Sequence, residues 1–582
     1  MLKRFLAFTL AGVYAVTSIA SALAQEAPSQ PLFEYNAINH PVMGERGMVA
    51  SQNALSSEIA AEILSQGGNA IDAGAALGFA LAVTLPRAGN IGGGGFMLVH
   101  VAALNRTIAI DFRETAPAAA RQDMYFDADG NTVLDATYRF SHKSSAVPGS
   151  VAGLAHIVEH YGTMTLAEVL EPAIRLARDG IEVTYDLAAN LARSQRLKNN
   201  PASLRKFYKA DGSNYEVGDV FKQPDLAWTL SEIAEHGVDA FYRGSVAEKI
   251  VADMEAHNGL ITREDLANYQ VVEREPVRGS FHGYDIEAMP APSSGGTHVI
   301  QMLNILENFP LAAMGPESAD ALHIMAEAMK FSYADRSKYL GDPDFVDVPT
   351  ETLVSKAYAR DIATRISPDR ALSSDSIAPG NLALYESEET THYSVVDSEG
   401  NMVGNTYTLM FSYGSGVVIE GTGILMNNNM GNFTLRADIP DAFGLMGSEN
   451  NLIRPNRRPV SSMTPVLVSQ NGRPLMLTGS PGGSKIISTN MQMVLNVLEF
   501  GMNLADAAAA PRIHHQWQPD VLEIESGISP DTVSLLVEKG QNVNMSERSA
   551  GMGSLQSVMW KDGMFYGYSD PRRPGASAVG VD

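Results

Sequence analysis

The stretch that decides the fold reads Glu388-Glu389-Thr390-Thr391-His392-Tyr393-Ser394-Val395-Val396-Asp397 and continues as Ser398-Glu399-Gly400-Asn401. An acidic, turn-rich segment ends there, and the alternating residues that follow predict a β-strand. Residues 398–400 predict a three-residue hairpin loop, because Gly400 suits the position that needs a positive φ. The return strand is then 402–409, and residues whose numbers sum to 798 face each other. This register places Thr390 opposite Thr408 on one face of the sheet, an arrangement that a slip of one residue would remove.

A facing pair of threonines has two interpretations. Threonine is a good strand former, and most such pairs only fill a sheet. Alternatively, the chain is cut between Glu389 and Thr390, so that Thr390 becomes a new N-terminus. Its hydroxyl is then a nucleophile, and its own α-amine is the base. The pattern alone favours the first interpretation.

Further motifs change that balance. Residues 390–397 and the downstream Ser480-Pro481-Gly482-Gly483-Ser484 resemble the start of the small subunit and the oxyanion loop of bacterial γ-glutamyltransferases (glutathione hydrolases). Motifs at 90–96, 111–114, 147–154, 458–463 and 569–573 fit the same family. The resemblance covers essentially everything after residue 24, and it favours Thr390 as a nucleophile.

The resemblance implies a fold and a reaction. The fold is that of the N-terminal nucleophile hydrolases, an α+β sandwich of four layers in the order αββα. A cut between Glu389 and Thr390 yields a large subunit, 25–389, and a small catalytic subunit, 390–582, which form one interlocked domain. Thr390 attacks the γ-glutamyl amide of glutathione, and water or an amino-acid or dipeptide acceptor takes the acyl group. This chemistry requires no metal and no organic cofactor.

The register and the resemblance assign the groups around the nucleophile. Thr408, opposite Thr390 by the register, is expected to orient the Thr390 hydroxyl during the cut. Gly482 and Gly483 are expected to aim backbone N–H groups at the developing oxyanion. The loop 438–456 corresponds to a lid over the pocket in this family, and Phe443 stands where a tyrosine is common, so a hydroxyl contact across the pocket wall is not expected.

The donor's carboxylate end has its own set of candidates. Arg113 follows a predicted strand directly, and in the family the equivalent arginine binds the α-carboxylate, since a guanidinium fork suits a carboxylate. Ser461 and Ser462 match the family's hydroxyl pair on the same carboxylate. Asn429 and Asn432 occupy the positions of the residues that bind the donor's α-amine.

Those amine-binding positions depart from the family pattern. Asn432 replaces an aspartate, Asn429 a glutamine or glutamate, and Met410 an asparagine that many bacterial members carry. The ion pair with the ammonium is lost, at a cost of about 1–3 kcal/mol. This opens an alternative, a glutaryl-type cephalosporin acylase of the same superfamily, whose substrate lacks the amine. A second alternative is a cleaved but inactive protein that binds γ-glutamyl peptides. Arg113, Ser461 and Ser462 favour γ-glutamyl chemistry.

Composition excludes several classes of protein. A formal net charge of −24, with 45% hydrophobic and 19% charged residues, describes a soluble globular protein and argues against a nucleic-acid partner. The chain has no cysteine, so disulfides, thiol nucleophiles and thiolate metal sites are excluded. The adjacent His514 and His515 cannot converge on one metal, and the sequence lacks H-E-x-x-H.

The N-terminus carries an export signal. Lys3 and Arg4 precede an apolar run, 5–20, and Ala22-Leu23-Ala24 is a small-x-small cleavage site, so 1–24 predicts a secretory signal peptide. No later stretch is long and apolar enough to span a membrane. The expected location is the periplasm.

Local patterns predict the surrounding elements. Apolar residues at helical spacing indicate helices at 51–66, 73–83, 166–178 and 318–336. The run of four glycines, 92–95, lacks both the phosphate-loop lysine and the G-x-G-x-x-G spacing. We therefore expect these glycines to permit close packing of backbones rather than nucleotide binding.

Overall fold

A computed structural model describes residues 37–132, 138–377, 390–436, 445, 447–546 and 549–582. The strands are β1 Val42–Gly44, β2 Gly47–Ser51, β3 Gly94–Val101, β4 Arg106–Phe112, β5 Ile181–Glu182, β6 Val220–Phe221, β7 Val272–Arg274, β8 Val277–Phe281, β9 Tyr284–Ala288, β10 Thr391–Asp397, β11 Met402–Thr408, β12 Val466–Gln470, β13 Arg473–Gly479, β14 Ile513–His514, β15 Leu522–Glu525, β16 Val543–Ser546, β17 Gln556–Lys561, β18 Met564–Ser569 and β19 Ser577–Val581.

The α-helices are α1 Ala54–Ser65, α2 Ala70–Thr84, α3 Ser150–Tyr161, α4 Leu166–Asp179, α5 Tyr185–Arg193, α6 Pro201–Phe207, α7 Pro224–His236, α8 Val238–Tyr242, α9 Ser245–Ala256, α10 Arg263–Ala267, α11 Gly295–Leu306, α12 Leu311–Met314, α13 Ala319–Tyr339, α14 Thr350–Leu353, α15 Lys356–Arg365, α16 Lys485–Leu498, α17 Leu504–Ala509 and α18 Pro530–Glu538. All four predicted helices are present, with ends within a few residues of the expected ones.

Two seven-stranded sheets form the centre of the molecule. One has the order β19-β2-β10-β11-β3-β4-β7, and the other β1-β18-β17-β13-β12-β9-β8. The sheets face each other, with β10 and β11 of the first against β13 and β17 of the second. Val396, Met402, Leu477 and Val558 belong to the apolar layer between them.

Helices cover the outer faces of both sheets. On the first sheet, Val395 and Val403 point away from the second sheet and pack in one core with the residues of α1, α2 and α3. On the second sheet, α11 and α16 contact β8, β9 and β13, and α13 packs against α11. The layer order is therefore αββα, which confirms the predicted α+β sandwich.

The hairpin of β10 and β11 has the predicted register. Thr391 pairs with Tyr407, His392 with Thr406 and Val396 with Met402, so paired numbers sum to 798. Gly400 has the expected positive φ of 91°. Asp397 anchors the loop, because its carboxylate accepts from the N–H groups of Glu399 and Asn401 at 2.9 and 3.0 Å and from the first N–H of α2 at 2.8 Å.

The glycine run packs backbone against backbone, as expected. A Cβ atom on Gly93 would lie 2.1 Å from the carbonyl oxygen of Thr408, and one on Gly95 would lie 2.4 Å from that of Thr406. Both separations are too short for any side chain, so only glycine lets β3 approach β11 this closely. The run therefore sets the position of the Thr408 end of the hairpin.

Three of the predicted features lie outside the described residues: the signal peptide, Glu389 and Phe443. Within the described ranges, no helix combines the length and the apolar character that crossing a bilayer demands.

Candidate active site

Thr390 and Thr408 meet at the open end of the hairpin, on the face turned toward the second sheet. The Thr390 hydroxyl donates to Oγ1 of Thr408 at 3.3 Å, and both residues are buried. Oγ1 of Thr408 also accepts from the N–H of Met410 at 2.9 Å. The N–H of Met410 thus holds the Thr408 side chain in place while its hydroxyl faces that of Thr390.

A buried histidine near this pair contacts the second sheet. His392 bonds through Nδ1 to Oγ1 of Thr406 at 2.8 Å and through Nε2 to Oγ of Ser394 at 3.0 Å. Burial lowers the pKa of His392 to about 3, so the ring is neutral. Its Cε1 would lie 2.3 Å from a Cβ on Gly479, so the ring packs directly under the last residue of β13.

The loop that follows β13 supplies backbone donors. Gly482 and Gly483 have φ values of 130° and 55°, and their N–H groups donate to no other group among the described residues. Successive backbone N–H groups in such conformations form a concave site for negative charge. Gly483 lines the same cavity as Thr390 and Thr408.

Arg113 lines the same cavity and lies just after β4. It is 1% exposed. Its guanidinium donates to Glu114 at 2.8 Å, to Oδ1 of Asn432 at 2.7 Å and to the carbonyl of Pro459 at 3.3 Å. Hydrogen bonds to three partners in different directions fix the plane of the guanidinium group.

Glu114 is the buried counter-charge of Arg113. Burial raises the pKa of the Glu114 carboxyl, and the Arg113 charge opposes that shift. Burial likewise lowers the pKa of Arg113, against the opposing charge of Glu114. Asn429 donates through Nδ2 to Glu114. Its assignment to the donor's α-amine stays a prediction.

Ser461 and Ser462 stand beside a second arginine. Arg336, near the end of α13, donates to Oγ of Ser294 at 2.9 Å and to Oγ of Ser462 at 3.4 Å. Ser294 in turn donates to the carbonyl of Ser461 at 2.8 Å. The two serines are therefore positioned by α13 and by the turn before α11.

One cavity joins these groups. Its lining includes Thr390, Thr408, Gly483, Arg113, Arg336, Asn432, Ser461 and Ser462. A second cavity shares Arg336, Asn432 and Val460 with the first, so the two lie side by side at these residues.

Two of the residues that depart from the family pattern line the cavity. Asn432 lies beside Arg113 and presents a neutral amide there. Met410 has a φ of 83°, a left-handed conformation that is uncommon outside glycine and in which asparagine is enriched. Methionine therefore occupies a backbone position suited to asparagine.

The sequence motifs do not predict Arg336 or Ser294 as site residues, and they do not single out Glu114. Arg336 lies in a predicted helix with no motif around it, and Ser294 lies in none of the motifs on which the resemblance rests. Glu114 was visible only as part of the 111–114 motif. The adjacent His514 and His515 bond to Ser488 at 2.8 Å and to Asp520 at 3.2 Å, respectively, away from the cavity.

Comparison with known proteins identifies the family of this chain. The model of the family described as Gamma-glutamyltranspeptidase matches residues 56–580. The chain belongs to the gamma-glutamyltranspeptidase family. Its membership confirms the predicted resemblance, and the chain is an enzyme of the γ-glutamyltransferase and glutathione hydrolase type.

Relatives of this gamma-glutamyltranspeptidase family member agree along most of its length. The chain is 50% identical to the glutathione hydrolase proenzyme of Escherichia coli (strain K12) over 555 residues, 94% of this chain and 95% of that protein. The crystal structure of cephalosporin acylase from Bacillus halodurans has a TM-score of 0.83 at 28% identity and covers 94% of this chain and 98% of its own. That of Helicobacter pylori gamma-glutamyltranspeptidase has a TM-score of 0.55 at 46% identity and covers 57% of this chain and 95% of the matched chain.

Proposed function

We propose that the chain is an exported proenzyme that cuts itself before Thr390 and then cleaves γ-glutamyl amides, glutathione among them. The observation that carries this proposal is a single cavity lined both by Thr390, whose hydroxyl lies 3.3 Å from that of Thr408, and by Arg113. A γ-glutamyl group has a carbonyl and an α-carboxylate, and this cavity offers a nucleophile for the first and a guanidinium for the second.

Maturation uses Thr390 before it has a free amine. The Thr390 hydroxyl attacks the carbonyl carbon of Glu389, the peptide C–N bond breaks, and the Thr390 nitrogen takes a proton to become an amine. Water then hydrolyses the ester, which leaves the Glu389 carboxylate and restores the hydroxyl. Thr408 orients the attacking hydroxyl, because the hydrogen bond between them directs its lone pairs.

Turnover repeats the attack on an external amide. The free α-amine of Thr390 takes the hydroxyl proton as the oxygen attacks the donor's γ-carbonyl. The N–H groups of Gly482 and Gly483 stabilise the oxyanion. The leaving amine takes the proton as the amide bond breaks, and the acyl group remains on Thr390 until water or the amine of an amino acid or dipeptide removes it.

Recognition of the donor uses the other groups that line the cavity. Arg113 binds the donor's carboxylate through its planar fork, with the hydroxyls of Ser461 and Ser462 beside it. Arg336 holds Ser462 in place. Asn432 accepts a hydrogen bond from the donor's ammonium.

The organisation of the proenzyme is part of the same proposal. Residues 1–24 direct export to the periplasm and are removed. The cut before Thr390 then gives a large subunit, 25–389, and a small subunit, 390–582, that remain one domain. No metal takes part in the reaction.

A second candidate function is the glutaryl-type acylase. The observation that favours it is the uncharged amine end, where Asn432 and Met410 line the cavity in place of an aspartate and an asparagine. The likeness to a cephalosporin acylase structure supports it as well. A glutaryl donor keeps the carboxylate for Arg113 and lacks the ammonium, so it loses nothing at Asn432.

One assay separates these functions. Purified wild-type protein is given a γ-glutamyl anilide and a glutaryl anilide, and release of the coloured aniline is followed for each. We expect release from both, with a higher kcat/KM for the γ-glutamyl donor. A higher value for the glutaryl donor would favour the acylase, and binding without any release would favour an inactive binding protein.

A further inference from the structure

A cluster of two histidines and one carboxylate lies outside the cavity. His142 begins a 3-10 helix, His142–Ser144, and Asp253 and His257 lie at the end of α9. Nε2 of His142 is 2.9 Å from Oδ2 of Asp253, and Nδ1 of His257 is 3.6 Å from Oδ1. One ligand atom from each of the three residues falls within 4.8 Å of the other two.

The carboxylate in this cluster lacks a permanent counter-charge. The Asp253 side chain is 8% exposed, and among the described residues its ion-pair partners are these two histidines. A histidine neutralises a carboxylate only when it is protonated, and a buried unpaired charge is costly. A divalent cation between the three side chains would satisfy the carboxylate and use both imidazoles in their neutral form.

One separation in the cluster is close to that of a transition-metal site. Zinc binds imidazole nitrogen at about 2.0–2.1 Å and carboxylate oxygen at about 2.0–2.2 Å, so neighbouring ligand atoms lie about 3.3 Å apart in a tetrahedron. Nε2 of His142 and Oδ2 of Asp253, at 2.9 Å, are near this value. The histidine rings are stacked, 4.5 Å apart and 8° from parallel, so the half-exposed His257 ring must tilt toward His142 to converge on an ion.

A backbone carbonyl sets the tautomer of the His257 ring. Its Nδ1 lies 2.9 Å from the carbonyl oxygen of Asp253, which accepts a hydrogen bond only from a protonated nitrogen. Nε2 of the neutral ring is then the unprotonated nitrogen, free to bind a metal. Metal-binding histidines are commonly oriented by such a bond from the other ring nitrogen.

A second stacked histidine pair in the chain offers a contrast. His156 and His160 stack at 4.1 Å, and Nε2 of His156 lies 2.9 Å from Glu273. Glu273 is 38% exposed and also accepts a hydrogen bond from the hydroxyl of Tyr161 at 2.6 Å. This pair of stacked histidines therefore also has a carboxylate beside it, but that carboxylate is not buried and does not need an ion.

We propose that His142, Asp253 and His257 form a binding site for one divalent transition-metal ion of the zinc class, with water at the open side. Two imidazoles and one carboxylate suit zinc, cobalt or nickel rather than calcium or magnesium, which prefer all-oxygen sites. The ion has no part in the proposed reaction. It joins α9 to the 142–144 segment, which packs against the 3-10 helix Asn429–Asn432 of the cavity wall.

The test uses the purified mature protein after treatment with EDTA and removal of the chelator. Zn²⁺ alone is titrated by calorimetry, and Co²⁺ is followed by its visible absorption. We expect one saturable site per chain, tetrahedral cobalt bands and a higher Tm with Zn²⁺. His257→Ala should weaken Zn²⁺ binding at least tenfold and remove the Tm shift, while its anilide kcat/KM stays at the wild-type value.

His160→Ala is the matched control, since it removes an exposed, stacked histidine outside the cluster and should bind Zn²⁺ as the wild type does. Because the His257 ring is half exposed, we expect His257→Ala to fold, so a loss of Zn²⁺ binding in it reports on the metal site. Asp253→Asn provides a second measurement. Equal Zn²⁺ affinity in wild type and His257→Ala, or no saturable site, would overturn the proposal. Aniline release is measured separately. An absence of aniline release would therefore count against the proposed function and not against the metal site.

Discussion

At the scale of single residues, Arg113 is a charged group whose orientation is fixed before a ligand binds. Arg113 is fully buried and bonds to Glu114, Asn432 and Pro459 without a ligand present. A guanidinium carries five N–H donors, and these three bonds leave the others for an incoming carboxylate. A planar fork gives two parallel charge-assisted bonds, which a point charge cannot reproduce.

Arg113→Lys tests this reading. The variant keeps the charge but loses the two-point contact, so we expect KM for a γ-glutamyl anilide to rise at least tenfold, equivalent to about 1.4 kcal/mol. Self-cleavage should remain normal, because the precursor needs no donor carboxylate. Steady-state kinetics and a denaturing gel on the same preparation provide both measurements, and an unchanged KM would remove Arg113 from the donor site.

Asn432→Asp tests the uncharged amine end. The new carboxylate lies next to Arg113 and faces the donor's ammonium, so we expect kcat/KM for γ-glutamyl anilide to rise about tenfold, mainly through KM, since this contact is remote from the bond that breaks. For a glutaryl anilide we expect no gain or a loss, because the buried carboxylate then meets no ammonium.

The comparison of both anilides with both enzymes carries its own control. Any effect on folding or on Thr390 changes the two donors alike, whereas the contact with the amine changes only their ratio. If the ratio stays constant in Asn432→Asp, Asn432 does not face the amine of the donor.

At the scale of elements, the hairpin of β10 and β11 is held at both ends. Asp397 binds the loop to the first turn of α2, and the glycine run of β3 sets the Thr408 end by close backbone contact. A displacement of β11 by one residue would break the contact with the glycine run and reverse the faces of the strand. The distance between Thr390 and Thr408 is therefore a property of the whole hairpin.

The pair Thr408→Val and Thr408→Ser tests the hydroxyl contact. Valine keeps the shape of threonine but cannot accept from Thr390, and it leaves the N–H of Met410 without its partner, at a cost of about 1–3 kcal/mol. We expect self-cleavage to slow at least tenfold in the valine variant and to stay close to the wild-type rate in the serine variant. Precursor decay on a denaturing gel gives both rates, and equal rates would remove Thr408 from maturation.

At the scale of the whole molecule, the strands on the two sides of the proposed cut are interleaved. In the first sheet, β10 and β11 follow residue 390, whereas their neighbours β2 and β3 precede it. In the second sheet, β9 precedes residue 390 and pairs with β12, which follows it. Hydrogen bonds within both sheets therefore join the two proposed subunits.

Polar contacts with Asp520 and Trp517 add to this connection near residue 377. Lys330 is buried, binds Glu327 at 2.9 Å and the carbonyl of Leu372 at 2.8 Å, and lies 3.7 Å from Asp520. The N–H of Ser374 donates to Asp520 at 3.0 Å, and its carbonyl accepts from the indole of Trp517 at 3.0 Å. The last described part of the large-subunit region is thus bound to the small-subunit region.

Thr390→Ala tests the cut. Wild-type protein should give two bands, of 365 residues (25–389) and 193 residues (390–582), about 39 and about 21 kDa by length. The alanine variant should give one uncut band. On gel filtration without denaturant, the wild-type fragments should elute together because the sheets hold them. Two bands from Thr390→Ala would exclude self-cleavage by this threonine.

The sequence by itself determined the hairpin, its register, the facing threonines and the close packing of the glycine run. These features depend on residues near one another in the chain, on a period of two along a strand and on a glycine at positive φ. The family motifs added Arg113, Ser461, Ser462 and the sandwich fold, because each motif is contiguous.

Only the tertiary structure placed Arg336 beside Ser462, Asn429 on Glu114 and His142 beside Asp253. Each of these pairs joins segments more than 100 residues apart, with |i−j| of 126, 315 and 111, respectively. No local periodicity or spacing records such a contact. It arises when buried polar groups in a packed interior must find partners, and the fold decides which partner is within reach.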